Sequence, residues 1–329
     1  MKGEISVRIR NNKNEYQFTL RRNITILRGD SGTGKTTLYR MVASYSREGR
    51  ASGIHASTTG NVPLCVLEGN FWQDEIRKIR NSVVLIDEDS SFINSREFAG
   101  LISGSSNYYL LITRSYLPEI PYSVDEIYQI KGKKRKTFVP VYQKKEQIYV
   151  NPFIPPLPFH PDMVITEDSG SGYQFFQKVC TENDILCISS KGKSNVIKQV
   201  RNHLDQNLAV IAGGAAFGPE IEDLAEIQRH SDHMIAFFLP ESFEWLILKS
   251  GIIISPDAPE LEFPSEHIDS SEYLSWERYF ERLLTYLSSK NKFGHYNKKM
   301  LDQWYFLPEN QKKICEVMRA LDFNKEKSR

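Results

Sequence analysis

An α/β protein built from two units is the fold this sequence predicts, and three observations carry the prediction. Short apolar runs alternate with stretches of helical period, first before residue 151 and again after residue 162. Between them lies Asn151 to Asp162, NPFIPPLPFHPD, where five prolines in twelve residues disfavour helix and central strand and favour an extended connector. The chain is 329 residues long, which at roughly 150 residues per domain corresponds to about two domains. The expected division is a first unit at 1–150, a linker at 151–162, a second, smaller α/β unit at 163–255 and a helical C-terminal region at 256–329.

In the first unit, Ile5 to Ile9 and Tyr16 to Leu20 alternate as half-buried strands do. Ile24 to Leu27 is a short apolar run closed by Gly29, as a buried strand would be, and Thr36 to Ser46 has a helical pattern. Val83 to Ile86 and Tyr109 to Ile112 read as further buried strands. Glu126 to Ile130 and Phe138 to Tyr142, joined by KGKKRKT, read as a hairpin. Strands interleaved with helices imply a parallel sheet covered on both faces.

The rhythm returns after the linker. Strands are expected at Met163 to Thr166, Ile185 to Ser189, Leu208 to Ala212 and Met234 to Phe238. Helices are expected at Tyr173 to Cys180, Val196 to Leu204, Pro219 to Arg229 and Ser242 to Ser250. A softer break, rich in Pro, Ser and acids, spans Ser255 to Ser271. Beyond it YLSWERYFERLLTYL carries Tyr273, Trp276, Tyr279, Phe280 and Tyr286 at helical spacing, which reads as packing surface before it reads as a stacking platform.

Composition narrows the function classes. Hydrophobic residues at 40% and charged residues at 25% exclude a disordered chain, a collagen-like fibre or a long coiled coil. Lys+Arg 42 against Asp+Glu 41 leaves a net charge of +1, so bulk charge does not mark a nucleic-acid binder, although a balanced total conceals local patches. The N-terminus lacks an apolar signal core, and no apolar run is long enough to suggest a membrane span. Cys65, Cys180, Cys187 and Cys315 are scattered without CxxC spacing, which suits reduced thiols in a cytoplasmic protein.

The sharpest motif is Gly29-Asp30-Ser31-Gly32-Thr33-Gly34-Lys35-Thr36, a full match to G-x-x-x-x-G-K-[ST] between an apolar strand and a helix, with Thr37 next in line. Such glycines let backbone N–H groups close around phosphates, and the following helix start favours an anion. Lys35 is expected to reach the β- and γ-phosphates of a nucleotide and Thr36 to hold Mg²⁺. This stretch resembles the P-loop NTPases. Val83-Val84-Leu85-Ile86-Asp87-Glu88 is similar to their second motif, the Walker B strand. The resemblance implies that Asp87 coordinates Mg²⁺ and that Glu88 acts as general base on the attacking water. For Glu88 the plainer alternative is a solvated acid after a strand. Thr113 and Arg114, after the third buried strand, are candidates for sensing the γ-phosphate, or simply a polar strand end. No Asn-Lys-x-Asp motif points to guanine, so ATP is the expected nucleotide, and no LSGGQ-like signature precedes the Asp87 strand.

Residues 163–250 resemble a Toprim domain, the metal-dependent fold of topoisomerases, primases and the overcoming-lysogenization-defect nucleases. Val164-Ile165-Thr166-Glu167-Asp168 is a strand ending in acids, followed by Ser and Gly and then a helix. Lys191-Gly192-Lys193-Ser194-Asn195 follows the second strand. The departure is at the third strand, where the family's Asp-x-Asp is replaced by Ala212-Gly213-Gly214-Ala215-Ala216. Strand cleavage needs clustered carboxylates around a metal. Glu220, Glu222 and Asp223 could supply them only by an unusual geometry, and otherwise are acids at a helix start, where the dipole favours them. Ser242 reads as a helix cap, with Glu241 and Glu244 beside it.

Lys131, Lys133, Lys134, Arg135 and Lys136 crowd one hairpin turn, with Lys144 and Lys145 following. They form either a phosphate-binding patch for nucleic acid or a solvated turn that protects a sheet edge. The expectation is therefore a cytoplasmic ATP-binding and ATP-hydrolysing protein, similar in order to ATPase-Toprim proteins of the overcoming-lysogenization-defect type. It would act as a regulator or nucleic-acid-processing subunit, with room for a protein partner or homo-oligomer and no membrane contact. Two alternatives stay open: an interaction module that holds ATP without hydrolysing it, and a metal-dependent nuclease.

Overall fold

The computed structural model describes residues 1–114, 116–145, 148–150, 157–255 and 258–324. Half of the predicted proline linker, residues 151–156, lies outside them, as do residues 256 and 257 at the expected start of the C-terminal region. The chain is α/β and divides into two compact units. One comprises Met1–Val141 with Phe263–Ser275, the other Tyr142–Glu262 with Trp276–Arg329.

The first unit opens with β1 (Ile5–Arg10) and β2 (Glu15–Leu20), in which buried and more exposed side chains alternate along each strand. The Asn11 side chain closes the turn between them, its Oδ1 accepting the Lys13 and Asn14 amides at 2.9 and 2.8 Å. Every residue of β3 (Ile24–Arg28) is buried, and helix α1 (Lys35–Glu48) follows it. Then come β4 (His55–Thr58), β5 (Leu64–Val66), α2 (Trp72–Ile76), the fully buried β6 (Val83–Ile86), α3 (Arg96–Ile102) and the fully buried β7 (Tyr108–Ile112). The hairpin β8 (Ile127–Lys131) and β9 (Arg135–Pro140) completes a nine-stranded sheet in the order β4-β1-β2-β9-β8-β3-β7-β6-β5.

That sheet is mixed, not wholly parallel as the sequence predicts. β8, β3, β7, β6 and β5 run parallel, as do β2 and β9, but β1 is antiparallel to both β2 and β4, and β8 is antiparallel to β9. Connection length explains the difference. The turns at residues 11–14 and 132–134 are too short for a crossover, so those neighbours must reverse, whereas β3, β6 and β7 are separated by helices that allow parallel return. Leu38, Met41 and Val42 of α1 join Leu27, Leu85, Leu110 and Ile112 in one apolar cluster that seats the helix on the sheet. Each such side chain contributes on the order of 2 kcal/mol by leaving water.

The second unit contains β10 (Gln143–Lys145), β11 (Ile148–Val150), β12 (Met163–Thr166), α4 (Ser171–Glu182), β13 (Leu186–Ser189), α5 (Lys193–Arg201), β14 (Leu208–Ile211), α6 (Ile221–His230), β15 (Ile235–Phe238), α7 (Phe243–Lys249) and α8 (Ala258–Glu262). Its sheet order is β10-β11-β15-β14-β12-β13, with β13, β12, β14 and β15 parallel and β11 antiparallel to β15. β10 and β11 precede the proline run in sequence, yet they belong to this second sheet.

The short helix α9 (Pro264–His267) belongs with the first unit. There the Gly3 amide donates to Ser265 O at 2.7 Å, and the Met1 ammonium meets Asp269 at 3.0 Å. Helices α10 (Trp276–Ser288) and α11 (Pro308–Val317) belong with the second unit. Trp276 and Phe280 are buried, as a packing surface requires, whereas Tyr286 is 59% exposed and carries the Lys290 ammonium over its ring. All four cysteines are free thiols. Among the described residues, no helix is long and apolar enough to cross a membrane.

Candidate functional site

The loop Gly29–Gly34 leaves the C-terminal end of β3 and turns directly into α1. Gly29, Gly32 and Gly34 hold φ of +132°, +83° and +103°, conformations that L side chains rarely adopt. At Gly34 space is the second constraint, because a Cβ would stand 2.8 Å from the Tyr16 hydroxyl and 3.1 Å from Lys136 Cε. Tyr16 donates to Gly34 O at 2.8 Å, and no side chain caps the start of α1. The first helical amides, at Lys35, Thr36 and Thr37, therefore have no N-cap side chain, and a helix start of that kind favours an anion. Asp30, Ser31, Gly32, Thr36 and Thr37 are exposed, and Thr33 donates to Asp30 O at 3.0 Å.

Lys35 is buried, and its ammonium donates to Gly29 O and, at 2.9 Å, to Asp30 O. Burial lowers its pKa, and the charges of Glu88, Asp30 and Asp87 oppose that shift while Arg114 adds to it. Asp87 and Glu88 follow β6, and Thr113 and Arg114 follow β7, so the parallel strands deliver all of them to the same sheet edge as the loop. Burial pushes the Asp87 carboxyl above its ordinary value. Glu88 is gripped by Arg114 at 3.1 and 3.2 Å. Thr113 is buried, and its amide donates to Leu27 O at 3.3 Å, which ties the end of β7 to β3. Asp89 is exposed.

The basic hairpin divides into two groups. Lys131, Lys133 and Lys134 are exposed. Arg135 instead pairs with Glu15 at 3.5 Å, and Lys136 donates to Asn14 Oδ1 at 2.6 Å and lies over the Tyr16 ring. Lys136 and Tyr16 thereby support the glycine-rich loop from below, an arrangement that no local sequence pattern signals.

In the second unit Asp168 has a structural task, its Oδ2 accepting the Gly170 and Gly172 amides at 3.2 and 3.1 Å ahead of α4. Glu167 accepts the Gly213 amide at 3.0 Å, and burial raises its pKa to about 7. Glu220 lies 3.7 Å from Lys193, while Glu222 and Asp223 sit in the first turn of α6. Ser242 caps α7 by accepting the Trp245 amide at 3.2 Å, as predicted. Glu244 is buried and accepts the Tyr296 hydroxyl. Among the described residues, no group of three or more His, Cys, Asp or Glu is arranged to hold a metal ion. Two side chains beside these acids, Glu277 and Lys298, lie far along the chain and carry no motif.

Comparison with known proteins adds no relative: no family model, no curated protein and no solved structure matches this chain.

Proposed function

We propose that this chain binds ATP at the Gly29–Thr36 loop and hydrolyses it. The observation that carries the reading is the placement of Asp87, Glu88 and Arg114 at the ends of β6 and β7, parallel neighbours of the β3 strand that leads into the loop, beside an uncapped helix start. Ligands of α/β proteins settle at such strand ends. The loop amides and Lys35 would hold the phosphates. Thr36 and Asp87 are the side chains suited to hold Mg²⁺, an ion that neutralises charge developing on the phosphoryl oxygens. Glu88 orients the attacking water and takes its proton, and Arg114 stands where it can meet γ-phosphate charge. A regulatory or nucleic-acid-processing role, through Lys131, Lys133 and Lys134, belongs to the same proposal.

Phosphate release by wild type and Lys35→Ala tests it, and equal rates would sink the hydrolysis claim. One observation favours a second reading, in which ATP is held without turnover: both Glu88 oxygens are occupied by Arg114. Nucleotide that survives purification without phosphate release would support that reading. For a metal-dependent nuclease the residues do not fit, since Asp168 is spent on backbone amides and β14 leads into Gly213 and Gly214 where acids are needed.

A further inference from the structure

The C-terminal ends of β12, β14 and β15 border a cavity of about 80 Å³ within the second unit, lined among others by Glu167, Asp168, Glu244, Glu277 and Lys298. Four acids in so small a space need a compensating positive charge, because desolvated carboxylates repel one another and are costly to ionise. Burial has raised the pKa of Glu167, Asp168 and Glu244 alike. A metal ion would be one solution. The chain contains another.

Lys298 Nζ lies 2.9 Å from Glu277 Oε1 and 2.9 Å from Glu281 Oε2. Its backbone is held as firmly as its side chain. Lys298 O accepts the Ser171 amide at 2.9 Å, and it comes so near the start of α4 that a Cβ on Gly170 would be 2.5 Å away. On either side, Tyr296 bonds Glu244 and Ser171, and Gln174 bonds both Lys299 O and the Leu301 amide. The segment from Tyr296 to Leu301 is thus tied to the first turns of α4 on both sides of Lys298, whose side chain lines the pocket and stays 45% exposed.

The acids also converge from an unexpected direction. A Cβ on Gly213 would be 3.7 Å from Glu167 Oε2 and 4.0 Å from Glu277 Oε2. At the end of β14, where the fold that this segment resembles in sequence carries an acid, there is glycine. Helix α10 supplies the neighbouring carboxylate, and the following segment supplies an ammonium.

We propose that Lys298 is the built-in cation of this pocket and that, held between Glu277 and Glu281, it excludes a divalent metal. The proposal is independent of the nucleotide reading. Mn²⁺ binding to the full-length, nucleotide-free protein tests it, with Asp87→Asn present throughout to silence the first unit. The parent is expected to bind no Mn²⁺ in the second unit, and Lys298→Arg to behave likewise. Lys298→Met is expected to gain one site, about tenfold or more tighter than any residual binding, and to lose it again when Glu277→Gln is added. Equal binding by parent and Lys298→Met, or no gain in a folded Lys298→Met protein, overturns the proposal. Should Lys298→Met fail to fold, amine acylation of the wild type decides. Lys298, although its side chain is 45% exposed, must label several-fold more slowly than Lys290 and Lys292 because two carboxylates hold its ammonium, unchanged by Mn²⁺, and labelling at their rate overturns the proposal.

Discussion

Arg114 holds Glu88 by both carboxylate oxygens, Nε to Oε2 at 3.1 Å and Nη2 to Oε1 at 3.2 Å. The grip is bidentate but the Arg114 side chain is 56% exposed, so it positions more than it stabilises. Arg114→Ala is expected to lower folding stability by no more than about 1 kcal/mol. Glu88→Gln keeps the shape and removes the proposed base, so under that proposal ATP turnover should fall about 10²- to 10⁴-fold while nucleotide affinity holds. Thermal unfolding, phosphate release and equilibrium nucleotide binding check the three parts. A Glu88→Gln protein that hydrolyses at the wild-type rate removes Glu88 from the chemistry.

Gly34 and Tyr16 form a second testable pair. Gly34→Ala forces a side chain into φ of +103° and against the Tyr16 hydroxyl. The conformational cost alone is about 1–2 kcal/mol, and the collision adds to it. Tyr16→Phe alone should cost about 1 kcal/mol for the lost bond to Gly34 O. The double variant should be less destabilised than the sum, because removing the hydroxyl relieves the collision while the strained φ remains. Denaturant unfolding of the four proteins measures the coupling, and strict additivity would place the obstruction elsewhere.

Why the glycine-rich loop and its acids are legible in the sequence, and the rest of the site is not, follows from where the information lies. Gly29 to Thr36 and Asp87 are specified by local backbone demands, a positive φ or an acid at the end of a buried strand, and those demands leave a residue pattern. β3, β6 and β7 are buried on both faces and read as plain apolar runs. β4 and β5 are short and partly exposed, and have no such pattern. The return of Phe263–Ser275 to the first unit rests on pairings such as Met1 with Asp269, whose partners are 268 positions apart. Glu277 and Lys298 reach the acidic pocket in the same way, through tertiary packing alone.

Glu126, just before β8, gives a pH dependence with a definite sign. It is fully buried, accepts the Thr25 hydroxyl at 2.9 Å, and burial raises its pKa to about 7 from an ordinary 4.5, against the opposing charge of Arg22. In the unfolded chain it ionises near 4.5, so between there and about 7 the folded state binds more protons. Its stabilising contribution is therefore full at acid pH and lost as pH rises through that window, by on the order of 3 kcal/mol. Glu126→Gln should flatten the profile of melting temperature between pH 5 and pH 8 relative to wild type. A profile as steep as the wild type's would show that Glu126 does not titrate in that window. Glu167, with a pKa also raised to about 7, leaves a residual slope of the same sign in the second unit.

The basic hairpin makes the nucleic-acid proposal quantitative. Lys131, Lys133 and Lys134 are exposed, whereas Arg135 and Lys136 are engaged with Glu15, Asn14 and Tyr16. The first three, like the 85% exposed Arg135 but unlike Lys136, are placed to displace counterions from a polyanion without dismantling the support of the glycine-rich loop. Replacing the three with alanine should weaken binding to a single-stranded oligonucleotide and reduce the slope of log K against log salt by about 2, at roughly 0.7 for each phosphate no longer neutralised. Lys136→Ala should instead perturb nucleotide binding at the loop, because Lys136 Cε lies where a Gly34 Cβ would point. Fluorescence anisotropy over a salt series separates the two effects. An unchanged salt slope in the triple variant would make the hairpin a solvated turn that guards the sheet, with any nucleic-acid binding surface lying elsewhere.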